Sequence, residues 1–351
     1  MKITHAISSI ETGEETLRIC SILKGLSDSF NISLIAPENA DAIKMLSGTR
    51  VKLMPLKIKE GKSFSPTDVY KIRAAIRRDP PDILHSHAQL SARIAAKLCK
   101  VPFLISERTG RGRKTHARSL VSEIYNSLTE ITVSASDSVT RQLISEGVPK
   151  DRIAYIECGV SEADTGAFLS GKSTDFSVAF RVMRVEEIRL FVSALARILS
   201  RFRVKALLLC SSKLRCEAER LVFAFGLAKH VDILSSLAHQ DVNFFAYLNA
   251  EDDSLPLEAM RFMSSSIPVA VALTPRNRDF FVENESAVFF LPADPFSLSD
   301  ALCRVLSDES LYGRLSRGGR LAWEKRYNGS SMIEEYARLY RALGNASSIR
   351  A

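Results

Sequence analysis

The chain of 351 residues contains no run of about 18 or more apolar residues, so no transmembrane helix is expected. Its opening, Met1-Lys2-Ile3-Thr4-His5-Ala6-Ile7, lacks the long apolar core and small-residue cleavage site of a signal peptide. It reads instead as a first β-strand. No CxxC pair occurs. Cys20, Cys99, Cys158, Cys210, Cys216 and Cys303 are scattered, which argues against a zinc site or a disulfide frame and for free, mostly buried thiols in a reducing cytoplasm. Internal repeats and low-complexity stretches are absent. The basic segments lack the interleaved aromatics that stack on bases, so a nucleic-acid partner is not expected.

What is present describes a globular protein. Hydrophobic residues make up 46% and charged residues 25%, and the length suits two domains of ordinary size. The formal charge is +8, a balance that suits phosphorylated ligands or an acidic membrane surface. A solvated surface with surplus Lys and Arg gives the same net charge.

Short apolar runs alternate with helical patterns. Strands are expected at 3–8, 32–35, 83–85, 103–106 and 131–134, with helices at 14–29, 66–78, 89–100, 118–128 and 137–146. A Gly/Ser/Thr/Asp-rich stretch around 160–175 reads as a linker. A second series follows, with strands at 177–180, 206–209, 231–234, 268–271 and 287–290. Its helices fall at 186–201, 213–226, 255–264 and 296–306. A closing helical region, 308–344, breaks near Asn328-Gly329. Strand–helix alternation implies parallel, doubly wound sheets, which bind ligands at the carboxyl ends of their strands.

Several motifs stand in order along these elements. Ile3–Gly13 (ITHAISSIETG) is a strand running into a glycine loop. Pro81-Asp82-Ile83-Leu84-His85-Ser86-His87 ends a strand on two histidines. Ile131–Ser136 is a strand followed by a serine cap. Gly147-Val148-Pro149-Lys150-Asp151-Arg152-Ile153 leads to Gly159-Val160-Ser161. Glu251-Asp252-Asp253-Ser254-Leu255-Pro256-Leu257-Glu258-Ala259-Met260 precedes the apolar strand at Ile267–Val271. Together, over nearly the whole chain, these resemble the retaining GT-B glycosyltransferases of the family 4 type.

The resemblance implies an α/β protein of the GT-B class: two Rossmann-like, doubly wound parallel-sheet domains facing a central cleft. It places an acceptor-side domain at 1–163, a nucleotide-sugar-side domain at 164–328 and a C-terminal helix, 329–351, crossing back to the first. It implies transfer of a sugar, with retention, from a nucleotide-sugar to a lipid-linked or polysaccharide acceptor. The setting would be bacterial envelope glycan synthesis, lipopolysaccharide or exopolysaccharide, in the cytoplasm and peripherally on the inner face of the membrane. It implies no metal and no cofactor beyond the nucleotide-sugar substrate. The alternative is a weakly active or inactive homologue serving as a binding or partner subunit, for instance beside another glycosyltransferase.

By the same resemblance His87, Arg181 and Glu251 carry catalysis, and Gly13, Arg181, Ser254, Leu255 and Glu258 hold the donor. Arg181 would neutralise the diphosphate and Glu258 accept the ribose hydroxyls. His87 would position a sugar hydroxyl, unless it is a strand-end histidine satisfied by hydrogen bonds; His85 reads as inward-facing and structural. Arg108, Arg111, Arg113 and Lys114 form a cationic loop that would clamp an anionic acceptor, or else be a solvated loop. The sequence departs from the family pattern at several of these places. Glu107-Arg108 replaces a functional histidine, Glu186-Glu187 stands where a lysine follows the arginine, and Glu251 and Glu258 are seven positions apart instead of eight.

Overall fold

The structure, a computed structural model, describes residues 1–9, 14–38, 46–110, 120–161, 176–237, 240–248 and 255–350. Gly13, Arg111, Arg113, Lys114, Glu251, Ser254 and most of the expected linker lie outside the described residues. The chain divides into two compact units, Met1–Gly159 with Gly329–Ala351, and Val160–Asn328. Each is built on one parallel sheet, as strand–helix alternation requires.

The first unit has strands β1 (Lys2–Ile7), β2 (Asn31–Pro37), β3 (Lys52–Leu56), β4 (Ile83–His87), β5 (Phe103–Arg108), β6 (Ile131–Ser134) and β7 (Ile153–Tyr155). They lie in the order β3-β2-β1-β4-β5-β6-β7. Its helices are α1 (Glu14–Leu26), α2 (Pro66–Arg78), α3 (Leu90–Leu98), α4 (Leu120–Ser127) and α5 (Asp137–Ser145). The expected strands and helices are all present, with ends shifted by a few residues. Strands β3 and β7 are additions. Both are sheet edges; β3 carries Pro55, which cannot donate to a ladder, and β7 has three residues, so neither gives a strong strand pattern.

Period-two alternation sends successive side chains to opposite faces. On one face Ala6, Leu84 and Leu104 pack with Ile72, Ile76 and Ala92 of α2 and α3. On the other, Ile3, Ile7, Ile83 and Ile105 pack with Ile19, Ile22 and Leu23 of α1. That second face also takes Met332, Tyr336 and Tyr340 from the last helix, Gly329–Arg350.

The second unit has β8 (Phe176–Arg181), β9 (Val204–Leu209), β10 (Val231–Leu234), β11 (Phe244–Tyr247), β12 (Val269–Ala272) and β13 (Val288–Phe290), in the order β10-β9-β8-β11-β12-β13. Strand β11 is central and short, Phe-Phe-Ala-Tyr, and so blends into its apolar surroundings in sequence. The helices are α6 (Val185–Leu199), α7 (Ser212–Ala224), α8 (Leu257–Ser264), the single turn α9 (Asn277–Phe280), α10 (Pro295–Ser307) and α11 (Glu309–Ala322). Asp294 caps α10 by accepting from the amides of Phe296 and Ser297, with Pro295 at the first turn, where its missing N–H costs nothing. A π-turn over Trp323–Tyr327 ends this unit, its Trp323 indole donating to Val160 O. The last helix, α12 (Gly329–Arg350), starts just beyond, at the expected break.

Candidate functional site

In the first unit a cavity of about 320 Å³ opens at the carboxyl ends of β1, β4 and β5. Ile7, Ser8, Ser9, Glu15, Thr16, His87, Glu107 and Thr109 are among its walls. Strand register explains the assembly. Ile7 pairs with His87 and His87 with Glu107; one row below, His5 pairs with His85. Register partners in a parallel sheet share a face, so His5, His85, His87 and Glu107 all point to the side covered by α1 and α12.

Four polar side chains on a buried face must find partners there. Glu107 Oε2 meets His87 Nδ1 at 2.5 Å. His87 Nε2 meets His5 Nδ1 at 2.9 Å. His5 Nε2 lies 3.3 Å from the Tyr340 hydroxyl, which is 2.6 Å from His85 Nδ1. Tyr336 donates its hydroxyl to Glu107 Oε1 at 2.5 Å, and Arg18 reaches the same oxygen at 2.8 Å. Arg18 also holds Glu15 at 2.7 Å.

The direction of these bonds follows from donor counting. Ionised Glu107 only accepts, so His87 carries its proton on Nδ1 and accepts at Nε2. His5 then donates from Nδ1 and accepts from Tyr340 at Nε2, and Tyr340 accepts from His85 Nδ1. His85 Nε2, fully buried, has no partner. With neutral rings the chain of bonds is consistent from end to end, all three in the Nδ1–H form.

Charge is set by the same neighbours. Burial opposes ionisation of Glu107, but Arg18 and then His87 outweigh it and hold the carboxyl well below its usual range. Burial likewise works against the Arg18 charge, and Glu107 and Glu15 more than restore it. Burial, then His85 and His87, push His5 well below its ordinary value; burial and then His87 do the same to His85. Burial, then Glu107, raise Tyr336 and Tyr340 well above the usual phenol value. Arg18 and Glu107 therefore form a charged pair at the centre of the cluster.

Three histidine ligand atoms within 4.8 Å of one another raise the question of a metal. His5 and His87 meet edge to edge, with ring planes 16° apart, and the His85 ring stacks on His87 with centroids at 4.4 Å. Edge-to-edge rings aim their nitrogens at each other, and a stacked ring aims its own elsewhere. The lone pairs do not converge on a common centre.

Of the expected residues, His87 lines the cavity, but both of its ring nitrogens are engaged inside the protein. His85 is buried and inward-facing. Arg108, at the end of β5, pairs with Glu146 at 2.5 Å. The contributions of His5, Arg18, Tyr336 and Tyr340 are not in the sequence reading. The signal available was the two-residue spacing of His85 and His87 beside a β1 strand carrying His5; the tyrosines come from about 250 residues away and carried no local sign.

In the second unit Arg181 ends β8 and Glu258 opens α8. The guanidinium donates from Nε and Nη2 to the two Glu258 oxygens, each at 2.7 Å. Leu255, just before α8, is buried. Glu187 turns back over the first turn of α6, accepting from the Met183 amide at 2.6 Å and from Arg184. A carboxylate there complements the helix dipole and covers N–H groups that an anion would otherwise use. Glu186, beside it, is exposed.

Residues 18–164 match the family model for Glycosyltransferase Family 4. Two similar solved structures are a glycosyltransferase from Rickettsia africae, with 15% identity over 97% of this chain and 98% of that one at TM-score 0.82, and HepE of Anabaena in complex with UDP, with 13% identity over 97% and 100% at TM-score 0.80. A third is the lipopolysaccharide outer core galactosyltransferase WaaB, with 16% identity over 97% and 99% at TM-score 0.72. The chain has the GT-B fold, and its residues 18–164 are similar to the family 4 glycosyltransferases. No curated protein sequence matches it. At these identities the solved structures speak to the fold: two parallel-sheet α/β units, as in those proteins.

Proposed function

We propose that this GT-B chain transfers a sugar, with retention, from a nucleotide-sugar to a lipid-linked or polysaccharide acceptor in bacterial envelope glycan synthesis. The observation that carries the proposal is the placement of Arg181 and Glu258, a cation and a carboxylate at a strand end and a helix start of the second unit, within a GT-B fold. Arg181 would meet the diphosphate and Glu258 the ribose. HepE has been solved with UDP and with UDP-glucose, which makes a UDP-sugar the first donor to try. Glu251 and Ser254 complete the proposed donor site and Gly13 the proposed loop of the first unit. Arg108, Arg111, Arg113 and Lys114 are proposed to face an anionic acceptor or acidic membrane. Among the described residues no helix is long and apolar enough to cross a membrane. Peripheral attachment at the cytoplasmic face is therefore part of the proposal, as is the absence of any metal or cofactor requirement.

A second reading has its own support. Arg181 is already held by Glu258, Glu187 occupies the first turn of α6, and Glu186 stands where the family resemblance calls for a lysine. A chain that has lost donor chemistry and serves as a partner subunit would look like this. A screen of nucleotide-sugars for binding and hydrolysis decides between the two. Thermal stabilisation by UDP, GDP or ADP with turnover of a matching sugar nucleotide supports the enzyme; no stabilisation by any of them supports the partner subunit.

A further inference from the structure

We propose that Glu107, and not His87, is the buried strand-end group of this cavity that accepts from a ligand hydroxyl, with His5, Tyr336 and Tyr340 as positioning residues behind it. The inference rests on reading the first unit as a sugar-binding unit and names the residue and ligand charge of that site.

Lone-pair counting leads to Glu107. A carboxylate offers about four acceptor directions, two on each oxygen. On Oε1 both are taken, by Tyr336 and Arg18. On Oε2 one is taken, by His87 Nδ1. One direction remains, on a residue that lines the cavity. His87 reaches the same cavity, but Glu107 and His5 use both its nitrogens, so its ring offers a ligand only C–H edges. To bind a hydroxyl through nitrogen His87 would have to abandon one buried partner, leaving it unsatisfied. Glu107 need abandon nothing.

The network also makes Glu107 rigid. Arg18 comes from α1, Tyr336 from α12 and His87 from the neighbouring strand, so three elements fix one carboxylate. His5 and Tyr340 extend the chain behind His87, whose Nδ1 proton is fixed by Glu107. Preorganisation of this kind raises affinity because little freedom is lost on binding.

Charge then selects the ligand class. Among the described residues the walls hold two carboxylates, Glu15 and Glu107, and no cation; the Arg18 side chain is 1% exposed, behind them. A hydroxyl donating to an ionised carboxylate makes a strong, short bond. A phosphate or carboxylate on the ligand would meet like charge at short range. The described walls suit a neutral, hydroxyl-bearing sugar over its phosphate ester.

The test uses the full chain with ¹⁵N-labelled histidine and two probes, methyl α-glucoside and glucose 6-phosphate. Without ligand, nitrogen shifts place the proton of His5, His85 and His87 on Nδ1. An Nε2–H form of His87, or one equivalent of zinc bound through these rings, overturns the network. The glucoside moves the His87 ring signals, glucose 6-phosphate binds at least roughly tenfold more weakly, and Glu107→Gln lowers glucoside affinity by roughly tenfold. Equal affinity for both probes, or an unchanged glucoside affinity in Glu107→Gln, overturns the assignment. Because Glu107→Gln strips Arg18 of its buried counter-charge, Tyr336→Phe is the second variant; it removes one hydrogen bond and no charge. It shifts the His87 signals and weakens the glucoside severalfold, whereas a change in Tm alone would make Tyr336 structural. These readouts need no nucleotide-sugar, so failure of the transferase proposal leaves them standing and is seen separately.

Discussion

The proposed donor site would give Arg181 two jobs that one guanidinium cannot do with equal strength. Its fork is matched to the two oxygens of Glu258, whose side chain is 8% exposed. The same fork would have to meet a diphosphate for the donor to bind. A ligand therefore competes with Glu258 for Arg181, or shares it through the remaining donor directions. A role in neutralising the diphosphate alone would make Arg181→Ala lower turnover more than stability. The pair changes that expectation, because removing Arg181 leaves a largely buried carboxylate without its counter-charge. Arg181→Ala should lower stability by about 1–3 kcal/mol as well as weaken nucleotide binding, while Glu258→Gln keeps a hydrogen-bond acceptor and loses less. Urea denaturation of the two variants checks this. An unchanged midpoint in Arg181→Ala would show that the pair contributes nothing to folding. Both residues were legible in the sequence as donor-site candidates, because each sits at an element end marked by its neighbours. Their partnership was not legible, since 77 positions separate them and only the β8–β11 pairing sets β8 beside the segment leading into α8.

The histidines give the molecule a pH dependence with a definite sign. His5 and His85 are neutral when folded and held well below the ordinary value of 6.5. In the unfolded chain they titrate near that value. Above it neither state binds the proton and the full stability is present. As pH falls below it, the unfolded chain takes up protons that the folded protein refuses, so stability declines toward the depressed folded values. The limiting slope is about 1.4 kcal/mol per pH unit for each histidine. Glu107, depressed below 4.5, adds a further loss in more acid solution. Urea midpoints measured downward from about pH 7.5 should fall, and His5→Gln should flatten the fall. A flat wild-type profile between about pH 7 and 5 would contradict the buried neutral network.

At the scale of elements, α1 and α12 form the lid over that network, and their approach depends on Gly25. A Cβ there would come within 2.5 Å of Ile333 Cδ1 and 3.0 Å of its Cγ2. Gly25→Ala should push the helices apart and cost about 1–3 kcal/mol, with Ile333→Ala restoring part of the loss in the double variant. Additive effects in the four-member cycle would mean that the two positions do not meet. The helices themselves were readable, because three-and-four apolar spacing and end signals such as Asp294-Pro295 mark them locally. The edge strands β3 and β7 were not, since one contains Pro55 and the other has three residues. Nor could the last helix announce its tyrosines. Tyr336 and Tyr340 look like any i, i+4 aromatic pair until the fold sets them against His85 and Glu107.

For the whole molecule, the fold class came through the alternating pattern, and the resemblance to family 4 glycosyltransferases came through weak motifs in consistent order. The site came through less fully. Period-two spacing in β4 marked His85 and His87, but the face they share is decided by sheet register and by a helix from the other end of the chain. The net charge of +8 also says little locally. Among the described residues the cavity wall of the first unit carries two carboxylates, Glu15 and Glu107, and Arg108 is paired with Glu146. Sugar transfer from a nucleotide-bound donor remains the central claim, and it is tested most directly by incubating the full chain with UDP-, GDP- and ADP-sugars and following nucleotide release together with direct binding. The account predicts that one nucleotide class binds, that its sugar derivative is turned over, and that Arg181→Ala weakens the binding and lowers the turnover. Binding of none of them, with the folded state intact, would contradict it and leave the partner-subunit reading in its place.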